Sequence, residues 1–142
     1  MANAVANQKD VLDYLLKHGS KTAFGKEHNF REIKNYEDFK KSVPVRDYEA
    51  FIPYIDRIKK GEHNVLWKGR PIYFAKTSGT TSGVKYIPIS KESIPNHING
   101  ARDALLCYMA ESGNTSFADG KMIFLSGSPE LERVGGIPTG RL

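Results

Sequence analysis

Apolar residues recur at helical spacing in several stretches of this chain, separated by polar segments rich in turn formers. Val11, Leu12, Leu15 and Leu16 line one face of a helix that Asn7 can cap and Gly19 ends. Lys21 to Asn29 is polar and glycine-containing, and predicts a loop. Asn35 precedes Tyr36-Glu37-Asp38-Phe39-Lys40-Lys41, a short helix with acids first and lysines last, as the macrodipole favours. Val43, just before Pro44, is biased towards an extended backbone. Asp47 predicts an N-cap for Tyr48 onward. Pro53 breaks or re-initiates that helix, and Tyr54, Ile55 and Ile58 supply its apolar face up to Gly61.

The pattern changes near Arg70. Pro71-Ile72-Tyr73-Phe74-Ala75-Lys76 is rich in β-formers and predicts a strand, and Lys85-Tyr86-Ile87-Pro88-Ile89 predicts a second. Pro88 demotes the second strand to an edge or a terminus. Two strands joined by a polar loop predict a hairpin. Ser90 then caps a long helix to about Glu111, with Pro95 tolerated in its first turns and Ile94, Ile98, Ala101, Leu105 and Met109 as its buried stripe. Gly113 to Gly120 predicts a loop and Met122 to Leu125 a buried strand. From Ser126 to Leu142 the chain is rich in Gly, Pro and Ser, without periodicity, and predicts no closing helix or strand. The fold class expected is α/β: residues 1–70 mainly helical, residues 71–142 strand-loop-strand, long helix and strand.

Composition narrows the function classes. The chain has 142 residues, 39% hydrophobic and 26% charged, room for one good-sized globular domain. The longest apolar run, Ala104 to Ala110, is far short of the ~20 residues a membrane span requires. The first residues lack a basic and an apolar leader region, which predicts a cytoplasmic protein. Lysines are interleaved with acids, so the net charge of +5 reads as a solvated surface. Neither nucleic acid nor a membrane is expected as a partner, although the excess favours an anionic ligand. The lone Cys107 excludes an internal disulfide and is expected to be a small buried hydrophobe. The scattered histidines predict no metal site. Arg46 and Asp47 read as a structural ion pair and a helix cap. Trp67, Tyr73 and Phe74 read as core, with an acyl-pocket lining as the alternative, and Arg141 has no readable role.

Candidate chemistry concentrates in Thr77-Ser78-Gly79-Thr80-Thr81-Ser82-Gly83-Val84-Lys85. Small residues let the backbone approach an anion, and Gly79 and Gly83 can take positive φ so that successive N–H groups converge. The hydroxyls of Thr77, Ser78, Thr80, Thr81 and Ser82 add donors, and Lys85 adds a full positive charge. Hydrogen bonds to charged partners contribute ~1.5–3 kcal/mol each, so a few hold a polyphosphate. The spacing is not that of a Walker A loop, because Val84 separates Gly83 from Lys85. The rival reading is a plain hairpin tip built of turn formers.

The segment resembles the first signature of the adenylate-forming superfamily, commonly Thr-Ser-Gly-Thr-Thr-Gly-x-Pro-Lys. It departs by having Ser82-Gly83-Val84 where Gly-x-Pro is usual. In this it resembles one branch, the auxin-responsive (Gretchen Hagen type) acyl acid-amido synthetases and their bacterial relatives. The likeness extends to Thr22-Ala23-Phe24-Gly25-Lys26, Val43 to Glu49, Gly61 to Trp67, Tyr73 to Lys76, Gly135-Gly136-Ile137 and Gly140-Arg141-Leu142. It implies the N-terminal part of an adenylate-forming large domain. It further implies activation of a carboxylic acid by ATP, with Mg2+, and transfer of the acyl group to an amino acid. Thr77, Ser78, Gly79, Thr80, Thr81, Ser82, Gly83 and Lys85 would then bind the nucleotide phosphates, Ser78 to Gly83 wrapping them and Lys85 balancing their charge. Family members are several times longer, so the resemblance implies an N-terminal fragment from which no turnover alone is expected. A non-catalytic nucleotide- or anion-binding module and a structural remnant are the alternatives.

Overall fold

A computed structural model describes residues 3–77, 83–121, 123 and 130–141 of the chain. In chain order these form α1 (Ala4–Gly19), α2 (Ala23–Glu27), α3 (Tyr36–Ser42), a 3-10 turn (Glu49–Phe51), α4 (Ile52–Lys59), β1 (Tyr73–Thr77) and β2 (Lys85–Ile89). Then follow α5 (Ile94–Ser112), a second 3-10 turn (Ser116–Ala118), β3 (Glu132–Val134) and β4 (Ile137–Arg141). They fall into two compact units, Met1–Pro71 with Val134–Ile137, and Ile72–Arg133 with Pro138–Leu142.

The first unit is helical. Helix α1 starts at Ala4, not after Asn7, whose amide already donates to the Asn3 carbonyl at 3.0 Å. Its buried stripe is also narrower than expected: Leu16 is buried, while Val11 and Leu15 remain 57% and 45% exposed. The expected loop from Lys21 contains α2. Thr22 caps it, accepting from the Gly25 amide at 3.0 Å, and the amides of Ala23 and Phe24 donate to the carbonyls of Asn64 and Val65. Gly25 is what hid this helix, since glycine is a poor helix former. It is required because a Cβ there would run into the backbone carbonyl of Gly19.

The other helices follow their local signals. Asn35 caps α3 by accepting from the Asp38 amide at 2.9 Å, and Val43 leaves it extended, at φ −120 and ψ 95. Asp47 accepts from the Ala50 amide at 3.1 Å. Pro53 sits in the first turn of α4, and Tyr54, Ile55 and Ile58 are buried together with Ile33 and Val65. Arg46 does not pair with Asp47. It donates to His28 Nε2 at 2.8 Å and lies over the Phe24 ring, within an aromatic cluster of Phe24, His28, Phe51 and Tyr54.

The second unit is built on a four-stranded sheet of order β2-β1-β4-β3. β1 pairs antiparallel with β2 and parallel with β4. Pro88 lies on the edge strand β2, as a residue without a donor should. Phe74, Ala75, Ile89 and Thr139 are buried. The strands β3 and β4 contradict the structureless end read from the sequence. Gly135 and Gly136, at φ 59 and 79, supply the positive φ at both central positions that a two-residue hairpin turn requires.

Helix α5 also differs from expectation. Ser90 braces the turn before it, accepting from the Ser93 amide at 3.1 Å, and the helix begins at Ile94 with Pro95 in its first turn. None of its residues is buried: Ile98, Leu105 and Leu106 are 63%, 43% and 52% exposed, and Cys107, expected inside, is exposed. Of the expected strand Met122 to Leu125, only Ile123 is described, and it is exposed; the rest lies outside the described residues.

Candidate functional site

The candidate site is the end of the β1–β2 hairpin. Five consecutive pairs zip the two strands, from Tyr73 opposite Ile89 to Thr77 opposite Lys85. Thr77 is therefore the last strand residue before the loop and Lys85 the first after it, held level across the ladder. Ser78, Gly79, Thr80, Thr81 and Ser82 lie outside the described residues. On the returning side Gly83 has φ 76, the left-handed backbone expected of it, and Val84 is exposed. Strand pairing thus gives Lys85 a fixed origin at the base of the loop.

Side chains alternate across the sheet, so Thr77 and Lys85 share one face, while Lys76, Tyr86 and Arg141 share the other. Phe74, two residues before Lys76, packs edge-on against Tyr86 with centroids 6.0 Å apart. Lys76 donates to Glu132 on β3 at 2.8 Å. That carboxylate holds the Lys76 ammonium above the ordinary lysine value, while the nearby Arg141 charge opposes the shift. Tyr73 reaches across β4 to donate to the Arg141 carbonyl at 3.2 Å. Gly140 permits this, because a Cβ there would stand 2.5 Å from the Tyr73 hydroxyl.

The aromatics weighed as a pocket lining separate accordingly. Phe74 is fully buried core, Tyr73 braces β4, and Trp67 is half-buried in the first unit, 6.3 Å from Tyr14 between ring centroids. Arg141 is the residue the sequence left without a role: parallel pairing brings it level with Lys76. The Gly135-Gly136 pair, read as a hairpin turn, is the signal that would have found it.

The family model described as the GH3 family N-terminal domain matches residues 1–142. The chain belongs to the GH3 family. It is 37% identical over 94 residues to the indole-3-acetic acid-amido synthetase GH3.15 of Arabidopsis thaliana, covering 65% of this chain and 16% of that relative. It is 29% identical over 140 residues to GH3.5, an indole-3-acetic acid-amido synthetase of the same plant, covering 96% and 22%. The solved structure of the GH3.15 acyl acid amido synthetase in complex with 2,4-DB superposes with a TM-score of 0.78 at 27% identity, covering 96% of this chain and 24% of that one. The GH3 chain described here therefore spans less than a quarter of the length of these relatives. The α/β fold, helices followed by a mixed sheet, is that of the GH3 N-terminal domain.

Proposed function

We propose that this chain is a partial N-terminal adenylation domain that binds the phosphates of ATP in an ATP-dependent acyl acid-amido synthetase. In the full activity a carboxylic acid attacks the α-phosphorus of Mg2+-bound ATP, giving an acyl-adenylate and pyrophosphate. An amino acid then displaces AMP to form the amide. The phosphate-binding residues are Thr77, Ser78, Gly79, Thr80, Thr81, Ser82, Gly83 and Lys85. Their contribution is electrostatic: preorganised donors and one cation stabilise charge as pyrophosphate departs. The enzyme works in the cytoplasm on small molecules.

The observation that carries this reading is the in-register pairing of Thr77 with Lys85. A hairpin tip needs only turn formers, whereas here a lysine is locked at the loop's base, two residues after a glycine already in the left-handed conformation. The test is calorimetric titration of ATP and pyrophosphate into the chain. Wild-type protein is expected to bind, and Lys85→Ala to bind about tenfold more weakly, as expected for one charge-assisted hydrogen bond. Equal affinities in the two proteins would return the loop to a plain hairpin tip.

A further inference from the structure

We propose that Arg141 is a second phosphate-binding residue, acting beyond the carboxyl end of β1 opposite Lys85. This rests on the phosphate-loop reading and adds to it a residue from a different strand. β1 and β4 run parallel, with Lys76 level with Arg141, so both carboxyl ends lie at the same edge of the sheet. The loop leaves one of these ends and Arg141 stands at the other. In open α/β sheets, ligands gather outside the carboxyl ends of the strands. Alternation directs Lys85 and Arg141 to opposite faces, so the two cations flank the end of β1 from both sides.

The charge arrangement singles out Arg141. Like charges side by side on adjacent strands disfavour pairing, yet Lys76 and Arg141 are in-register neighbours. Glu132 neutralises only Lys76, at 2.8 Å. Arg141 is exposed, and among the described residues its guanidinium has no ion-pair partner. Its backbone is fixed by the Tyr73 hydrogen bond to its carbonyl, at 3.2 Å. A planar guanidinium on an anchored strand end suits bidentate recognition of a phosphate.

The test is titration of pyrophosphate, and separately of benzoate, into the chain and into Arg141→Gln, Arg141→Lys and Lys85→Ala. Arg141→Gln is expected to weaken pyrophosphate about tenfold, with Arg141→Lys between it and wild type and with unchanged circular dichroism. Arg141→Lys, which keeps the charge, decides the matter should the Gln variant lose structure. Wild-type affinity in Arg141→Gln beside weakened Lys85→Ala overturns the role of Arg141 and leaves the loop reading standing. Weakening in Arg141→Gln alone supports Arg141 and removes Lys85 from the loop reading. No pyrophosphate binding by the wild type overturns both. An effect of Arg141→Gln on benzoate but not pyrophosphate assigns the guanidinium to a carboxylate and overturns the phosphate role.

Discussion

His28 is buried, and both of its ring nitrogens meet a hydrogen-bonding partner. Nδ1 lies 2.8 Å from the Phe24 carbonyl, which only accepts, and Nε2 lies 2.8 Å from an Arg46 guanidinium nitrogen, which only donates. Beside the ring, Tyr54 donates to Glu27, and Arg57 bridges Glu27 and Glu62. Those hydrogen bonds, from Tyr54 to Glu27 and from Arg57 to Glu62, hold both carboxyls below the ordinary value of 4.5. Burial, reinforced by Glu27, raises the Tyr54 phenol above 10.0. The signs differ. Depressed carboxyl values add stability above pH 4.5 that is lost as pH falls through them; the raised phenol adds stability below pH 10.0 that is lost as pH rises through it. Urea midpoints measured across pH should therefore fall at both ends. Glu27→Gln should flatten the acid limb and Tyr54→Phe the alkaline one; variants that keep the wild-type profile would remove this network from the stability of the unit.

At the scale of elements, two glycines in helices make opposite demands. Gly25 in α2 faces the Gly19 carbonyl, a backbone atom that cannot step aside, and Gly25→Ala should destabilise by about 1–3 kcal/mol. Gly100 in α5 has open space around it, and Gly100→Ala should stabilise by about 0.5–1 kcal/mol, the propensity difference alone. Chemical denaturation measures both, and a reversal of either sign would contradict the packing described. Elements with a local signature were legible in the sequence: the Asn35 and Asp47 caps, the Pro53 restart of α4, and the hairpin with Pro88 at its edge. Helix α2 was not, because its stability comes from the carbonyls of Asn64 and Val65, some forty residues away. The stripe of α5 was read correctly as apolar and wrongly as buried, since periodicity reports which residues share a face and not what covers it.

For the whole molecule, each unit has its own buried residues, Leu16, Tyr54, Ile55 and Ile58 in one and Phe74, Ala75 and Ile89 in the other. Among the described residues no helix is long and apolar enough to cross a membrane. The activity is proposed for a polypeptide of the relatives' length. A polypeptide of that length carrying this sequence is expected to catalyse carboxylate-dependent exchange of pyrophosphate into ATP, and Lys85→Ala to slow it at least tenfold. Exchange that ignores the carboxylate would exclude acid activation. The loop's composition, the spacing of its lysine and the Asn35 and Asp47 caps were determined by the sequence alone, because each depends on residues within a few positions of one another. Tertiary structure alone decided that β4 joins β1 in parallel, that Glu132 takes Lys76, and that Arg141 stands level with Lys76. Those pairings join residues more than fifty positions apart, and no local pattern of apolar and polar residues encodes which strand a strand will meet.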